Sequence, residues 1–151
     1  MYDDNFKQRV GSEVRLAVVS KPGNASSDAC ATAMVKAFKA VGNLKLAGLP
    51  LRAWQMTFKD AASFGSGLAS DEIDVVYLCS GLETNLNEIA DLTRKRRVVT
   101  VGSREDYVKR AASLGVFLVS GRPTIMVNLS ASRSEGASFS SDLLRLATVI
   151  K

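Results

Sequence analysis

Few side chains in this chain could carry out chemistry, because its 151 residues include no histidine and only two cysteines, Cys30 and Cys79. The absence of histidine excludes a Ser-His-Asp or Cys-His nucleophilic system, a histidine-ligated zinc site and an imidazole general base. Two cysteines are too few for a four-ligand zinc site, but they could form one disulfide in an oxidising compartment. Two unpaired buried thiols are an equally open alternative.

Hydroxyl, amide and backbone N–H groups at three places could hold a small anion or an amino acid. These candidate ligand-binding residues are Ser20, Asn24, Ser26, Ser80, Gly81 and Ser103. The first three lie in the segment 20–28, which lacks the glycine-rich dinucleotide fingerprint and the lysine of a phosphate-binding loop. Capping of the following helix by Ser26, Ser27 or Asp28 is the simpler explanation of these residue types.

Charged residues give a weaker indication of function. The net charge of +5 and the pI of about 9.4 favour acidic or anionic partners. Basic residues cluster only at 94–97, after a helix whose carboxyl end favours cations and without interleaved aromatic residues. A solvated helix terminus explains that run better than a phosphate contact, and no nucleic-acid partner is expected. Asp71, Glu72 and Asp74 bracket a strand start and are expected to lie in solvent.

Alternating strands and helices are predicted to position the candidate residues. The consecutive apolar residues in segments 14–20 and 73–79 are typical of strands covered on both faces. Further strands are predicted at 51–57 and 98–101. Helices are predicted from a cap at 26–28 to about residue 41, at 60–69, through 86–92 after a turn at 80–84, and at 104–112. Four strand-turn-helix units predict a parallel sheet with helices on both faces.

The loops that follow parallel strands gather at the carboxyl edge of the sheet, the usual place for a small-molecule cleft. Ser20, Ser80 and Ser103 are therefore expected to lie near one another. Cys30, early in the first helix, and Cys79, at the end of a neighbouring strand, could stand at the same edge. A bridge between them requires Cα atoms within about 7 Å.

The last third of the chain departs from this repeat. Segments 116–119 and 123–129 are joined by Ser120-Gly121-Arg122, a connection short enough for a hairpin that adds an antiparallel edge. Ser103, with Asp106 three residues later, resembles a capping box that opens the helix 104–112.

A closing helix is predicted after a Ser140 cap, with its apolar stripe formed by Leu143, Leu146, Ala147 and Ile150. The predicted fold is thus a three-layer, Rossmann-like α/β fold. It has a mostly parallel sheet, an antiparallel C-terminal edge hairpin and a closing helix.

The composition, 46% hydrophobic and 23% charged, is typical of one compact domain. This domain is predicted over residues 14–151, with residues 1–13 as an N-terminal tail or the remnant of an entry helix. No apolar stretch approaches the ~20 residues of a membrane span, so no membrane insertion is expected. Residues 1–6 lack the pattern of a secretory signal.

Three segments of the C-terminal third carry a resemblance to a known family. They are Val99-Thr100-Val101-Gly102, Ile125-Met126-Val127-Asn128-Leu129, and Ser140-Ser141-Asp142-Leu143-Leu144-Arg145-Leu146-Ala147. The chain resembles the YfiR family of small bacterial periplasmic proteins, whose ends have a strand with Asn-Leu followed by a Ser-Xaa-Xaa-Leu-Leu-Xaa-Leu-Ala helix. In element order the resemblance extends over residues 14–151.

The resemblance implies a non-enzymatic periplasmic regulator in cyclic-di-GMP signalling. Such a protein represses a membrane-bound diguanylate cyclase, or a related sensor, by binding its periplasmic part, and it needs no cofactor. Some members carry two disulfides, for which the two cysteines of this chain do not suffice.

Two functions from different classes follow from the sequence. The first is a regulatory interaction protein that binds through exposed apolar surface and forms a homodimer through an edge strand or a helix. The alternative is a single-lobed domain, similar to half of a periplasmic solute receptor, whose carboxyl-edge loops bind a small anion or an amino acid.

Overall fold

The computed structural model describes residues 12–40, 45–46 and 49–150. Most of the predicted N-terminal tail, residues 1–13, and the last residue of the first predicted helix, Val41, lie outside the described residues.

Within the described part of the chain, eight strands form one sheet and six α-helices flank it. The strands are β1 (Val14–Ser20), β2 (Lys45–Leu46), β3 (Leu49–Thr57), β4 (Val75–Leu78), β5 (Val99–Gly102), β6 (Leu114–Val119), β7 (Arg122–Asn128) and β8 (Thr148–Ile150). The helices are α1 (Ala25–Ala40), α2 (Ala61–Ser70), α3 (Leu86–Lys95), α4 (Glu105–Arg110), α5 (Leu129–Ser134) and α6 (Ser141–Leu146). A 3-10 turn at Glu83–Asn85 precedes α3.

The strand order is β2-β3-β1-β4-β5-β6-β7-β8. The run from β3 to β6 is parallel, whereas β2 pairs with β3, and β7 with β6, in antiparallel fashion. The predicted fold class is confirmed, including the hairpin, whose turn residues Ser120 and Gly121 have φ of 51° and 77°. Positive φ at both central positions is typical of a type I′ turn.

Apolar clusters on the two faces of the sheet make the structure three-layered. On one face, alternate residues of β1 and β4, such as Val19 and Val76, pack with Phe64 of α2, Ile89 of α3 and Val108 of α4. The residues between them face a second cluster on the other side of the sheet. It contains Leu16, Val18, Val75, Val99, Ala31 and Ala137, with Met34, Phe38 and Phe139 packed against it. Burial of both faces explains why β1 has consecutive apolar residues.

The end of the chain differs from the predicted closing helix. Ser140 caps α6 as expected, because its Oγ accepts a hydrogen bond of 3.3 Å from the Leu143 N–H. However, α6 ends at Leu146, and the next residues form β8, which pairs in parallel with β7. The run Thr148-Val149-Ile150 is β-branched throughout, which favours a strand over the last turn of a helix. Leu143 is buried, whereas Leu146 is 68% exposed, so the predicted apolar stripe is not formed.

Candidate functional site

The carboxyl edge of the parallel strands carries most of the residues predicted to bind a ligand. The loop after β1 meets the loop after β4, because an added Cβ at Gly81 would lie only 2.8 Å from Asn24 Nδ2. Gly81 also has φ of +93°, which favours glycine there. The loop after β5 joins them, since the Ser103 N–H donates to the Leu78 carbonyl at 3.2 Å.

Hydrogen bonds engage several polar groups of the loop after β1. Ser20 is fully buried, and its Oγ accepts a hydrogen bond of 3.2 Å from Gln55 Nε2. Asn24 Oδ1 accepts the Ser27 N–H at 3.0 Å, so Asn24 caps α1. The predicted caps Ser26, Ser27 and Asp28 are wrong, because α1 begins at Ala25 and they lie inside its first turn. Ser26 is exposed on that turn.

Charged side chains join the loops of this edge to one another. Lys21 Nζ donates to Asn85 Oδ1 at 2.7 Å, which joins the loop after β1 to the start of α3. Arg104, after β5, donates to Glu83 Oε1 at 2.6 Å and to Asp106 Oδ1 at 2.9 Å. The Lys21 and Arg104 contacts use cationic groups that an anionic ligand would otherwise meet.

The capping box predicted at Ser103 is wrong. Helix α4 begins at Glu105, after Arg104, and no side chain caps it. The Asp106 carboxylate accepts from Arg104 Nε instead of from backbone N–H groups. Ser103 Oγ is one of two buried side-chain polar atoms in the described residues without a hydrogen-bond partner, the other being Arg94 Nε.

A buried tyrosine fixes the loop after β4. The Tyr107 hydroxyl donates to the Cys79 carbonyl at 2.9 Å and accepts the Leu82 N–H at 3.0 Å. Burial raises the pKa of Tyr107 to about 12. Sequence reasoning missed this residue, because a tyrosine in a short helix is more often a packing residue than a hydrogen-bond bridge.

Replacing Tyr107 with phenylalanine is expected to lower the free energy of unfolding by about 2 kcal/mol, because the Leu82 N–H and the Cys79 carbonyl lose a buried partner. The folded phenol also holds its proton more tightly than the unfolded phenol, whose pKa is near 10. The stability of the wild type should therefore fall as the pH rises from about 10 to about 12, and less so in the variant. Urea unfolding over this pH range tests both effects. Tyr77→Phe, at a partly exposed tyrosine of β4 whose pKa is also raised by burial, is the control for the loss at neutral pH, and an equal loss there would contradict the role of the bridge.

The two cysteines are bonded to each other near the same edge. Cys30 of α1 and Cys79, directly after β4, form a disulfide with their Cα atoms 5.9 Å apart. The bridge ties α1 to the middle of the sheet, across a sequence separation of 49 residues.

A separate groove of about 640 Å³ opens at the amino edge of the sheet. Its lining includes Arg15 and the end of the basic run, Arg96 and Arg97, together with Glu13 and Glu72. Arg15 Nε donates to Glu13 Oε1 at 3.0 Å, so part of the positive charge is neutralised within the groove. Arg94 and Lys95 occupy the last turn of α3, as expected of cations near a helix carboxyl end.

A buried carboxylate links α5 to strands β5 and β6. Glu135 is fully buried and accepts hydrogen bonds from the Thr100 N–H at 2.9 Å, from Thr100 Oγ1 at 2.7 Å and from Thr93 Oγ1 at 3.3 Å. Ser113 Oγ also donates to it. Burial raises the pKa of Glu135, while the hydrogen bonds from Ser113 and Thr100 oppose that rise. The sequence does not distinguish this glutamate from a solvated one.

Exposed aliphatic residues form the main apolar surface of the described chain. They are Val116 (52% exposed), Leu118 (71%), Val119 (42%), Leu146 (68%) and Val149 (38%). Three of them lie on β6. Contiguous exposed apolar residues often mark a protein interaction surface.

In the described ranges, no group of three or more cysteine, aspartate or glutamate side chains is arranged to hold a metal ion. None of the helices described is long and apolar enough to cross a bilayer.

Comparison with known proteins gives a family and a fold. A family model described as YfiR/HmsC-like matches residues 6–148, which agrees with the resemblance found in the sequence. No curated protein matches the chain.

Three solved structures share the fold. A conserved domain protein from Vibrio cholerae O1 biovar El Tor is 16% identical, with a TM-score of 0.66, over 91% of this chain and 54% of that one. An ABC domain in complex with L-Trp from Streptococcus pneumonia is 8% identical, with a TM-score of 0.65, over 91% and 55%. CD0873, a substrate binding protein with adhesive properties from Clostridium difficile, is 13% identical in its ligand-free, open structure, with a TM-score of 0.66, over 98% and 58%. The chain spans little more than half the length of these proteins.

Proposed function

This chain belongs to the YfiR/HmsC-like family, and from that membership we propose that it is a periplasmic regulator that acts by binding another protein, without catalysis. The finer proposal is that it represses a membrane-bound diguanylate cyclase by binding its periplasmic part, and that it works as a homodimer. The family match, which extends over most of the chain, carries this proposal.

Two features of the molecule support it. The loops at the carboxyl edge, where a parallel sheet usually places an active site, are joined by Lys21–Asn85 and Arg104–Glu83 hydrogen bonds. The Cys30–Cys79 disulfide fits an oxidising compartment such as the periplasm.

Co-expression with a membrane-bound diguanylate cyclase that has a periplasmic part tests the proposal. We expect cyclic-di-GMP in the cell to fall when the protein is exported to the periplasm. The matched control is the same chain retained in the cytoplasm, which should leave cyclic-di-GMP unchanged. An equal effect from both compartments, or none from the exported chain, would refute repression through the periplasmic part of the cyclase.

A small-molecule binding domain is the second candidate. The unpartnered Ser103 hydroxyl at the carboxyl edge favours it, as does the likeness in fold to a substrate binding protein. In this alternative Ser20, Asn24, Ser26, Ser80, Gly81 and Ser103 would form the binding site.

Thermal unfolding with L-tryptophan and with phosphate as probes separates the two candidates. A regulator that binds only protein should show no shift. A ligand at about 100 times its dissociation constant should raise the melting temperature by about 5–10 °C. Ser103→Ala and Asn24→Ala should then abolish the shift, whereas Ser66→Ala, at an exposed serine of α2, should retain it.

A further inference from the structure

Three helices of the described chain end in the same backbone motif but not in the same type of residue. After α2, α3 and α5 the chain turns at a left-handed residue, which is Glu72 (φ 50°), Arg97 (φ 55°) and Gly136 (φ 80°), respectively. In each motif the N–H of the next residue donates to a carbonyl of the last helical turn, and these pairs are Ile73 with Leu68, Val98 with Thr93, and Ala137 with Ser132. Glycine is the usual residue at this position, because it adopts a positive φ without steric cost. Glu72 and Arg97 therefore occupy positions that suit glycine.

Both of these charged residues line the groove at the amino edge of the sheet. The other described non-glycine residue with a positive φ, Ser120, is explained by the hairpin turn. Residues held in the left-handed region are concentrated at ligand-binding and active sites, where a side chain is needed that glycine lacks. Two long charged side chains at such positions in one groove indicate that their charges are used.

The groove presents charges of both signs that the described residues leave largely unpaired. The Glu72 side chain is 81% exposed, and its ion pair within the described chain, with Arg15 Nη1, is as long as 4.0 Å. Arg96 and Arg97 form no ion pair with any described carboxylate. Asp74 differs from Glu72, because its Oδ2 accepts the Arg15 N–H at 2.9 Å. One carboxylate and two guanidinium groups of the groove are thus placed to meet a ligand.

These opposite charges lie on neighbouring loops. Glu72 precedes β4, whereas Arg96 and Arg97 precede β5, and the two strands pair in parallel. The Arg97 side chain rests against the end of α5, since an added Cβ at Gly136 would lie 3.1 Å from Arg97 Nη1. Paired strands are about 4.8 Å apart, and an extended dipeptide spans about 7 Å. A ligand that meets both loops with opposite charges is therefore short.

We propose that this groove binds a short peptide of dipeptide size with free termini. Arg96 and Arg97 bind its carboxylate through charge-assisted hydrogen bonds, for which guanidinium groups are well shaped. Glu72 binds its ammonium group. The volume of about 640 Å³ is within the range of small-molecule pockets. A simple anion suits the groove less well, because the Glu72 carboxylate would repel it. This site lies at the opposite edge of the sheet from Ser103 and goes beyond the proposed function.

An NMR titration of the isotope-labelled chain with L-alanyl-L-alanine up to about 10 mM tests the site. We expect the backbone amides of Glu72, Arg96 and Arg97 to shift, with a dissociation constant of about 1 mM, which is reasonable for so small a ligand. The N-acetylated dipeptide lacks the ammonium group, and the dipeptide amide lacks the carboxylate. Each should bind more weakly by about tenfold, because each loses one charged hydrogen-bonding group.

Two variants assign the charges to residues. Arg96→Gln and Glu72→Gly should each weaken binding of the dipeptide by about tenfold. The matched control for the first is Lys95→Gln, at an exposed cation beside Arg96 that does not line the groove. The control for the second is Ser120→Gly, at a positive φ in the hairpin turn. Both controls should bind as the wild type does.

Thermal unfolding separates a binding role of Glu72 from a structural one. Glu72→Gly should raise the melting temperature by about 2 °C, because glycine relieves the left-handed backbone. Ser120→Gly should do the same. A fall in the melting temperature of Glu72→Gly would show that this side chain supports the fold, and would contradict its assignment to the ligand.

The inference is overturned if the dipeptide shifts no amide of the groove, or if Lys95→Gln weakens binding as much as Arg96→Gln. Equal binding of the N-acetylated dipeptide would also overturn it, because the groove would then select an anion. Shifts that are confined to the loops around Ser103 would place the ligand at the other edge and would likewise refute the groove. The cyclic-di-GMP assay is independent of all these outcomes.

Discussion

Replacing both Cys30 and Cys79 with alanine is expected to lower the free energy of unfolding by about 4 kcal/mol. The bridge closes a loop with a sequence separation of 49 residues, and removing it restores the conformational entropy of that loop to the unfolded chain. The loss is a large fraction of the stability of an ordinary domain, which is about 5–15 kcal/mol. Guanidinium unfolding followed by the fluorescence of Trp54, the only tryptophan, measures the change.

Reduction of the wild type provides the matched control. A reducing agent should lower the unfolding midpoint of the wild type to nearly that of the double alanine variant, and should leave the variant unchanged. If the reduced and oxidised wild types unfold at the same midpoint, the bridge contributes no stability.

The same bridge illustrates what sequence reasoning could supply. The apolar runs of β1 and β4 predicted neighbouring parallel strands, so Cys79 could be placed at the edge where the first helix begins. The distance between the two Cα atoms depends on how α1 packs on the sheet. The sequence leaves that packing open, so it is equally compatible with a disulfide and with two buried thiols. In the structure Cys30 and Cys79 form a disulfide.

Strands buried on both faces were the most predictable elements. The bounds predicted for β1, residues 14–20, are those observed, because an uninterrupted apolar run is compatible with a parallel strand between two layers of helices. The strand β8 was missed because it is short and lacks a recognisable apolar run. Three residues are too few to show a period, and Ile150 also fits the helical spacing set by Leu143 and Leu146.

The candidate site was predictable in position and unpredictable in detail. Because β1, β4 and β5 are parallel, the segments that follow them lie at one edge of the sheet. Whether they leave a cleft depends on side chains that come together only in the fold, such as Lys21 with Asn85 and Arg104 with Glu83. Segment 24–28 contains several polar residues that could cap α1, so the sequence leaves the cap open. In the structure the cap is Asn24, whose Oδ1 accepts the Ser27 N–H.

Glu135 marks the clearest limit of sequence reasoning, because its burial is set by residues distant in the sequence. Replacing it with alanine is expected to lower the free energy of unfolding by about 3 kcal/mol or more. The hydroxyls of Thr100 and Ser113 and the Thr100 N–H would lose their buried acceptor. The Thr93 hydroxyl would keep only the Ala90 carbonyl. Urea unfolding measures the loss. Glu88→Ala, at an exposed glutamate of α3, is the matched control and should change stability by less than about 0.5 kcal/mol.

The pH dependence of Glu135→Gln tests the same carboxyl group without creating a cavity. Burial raises the pKa of Glu135 in the folded state above its ordinary value of 4.5, so the folded protein binds this proton more tightly than the unfolded chain. The associated stability is fully present below pH 4.5 and is lost as the pH rises through the folded pKa. The stability of the wild type relative to Glu135→Gln should therefore decline as the pH rises above that value. A difference that stays constant or grows with pH would show that the hydrogen bonds from Ser113 and Thr100 outweigh the cost of burying the charge.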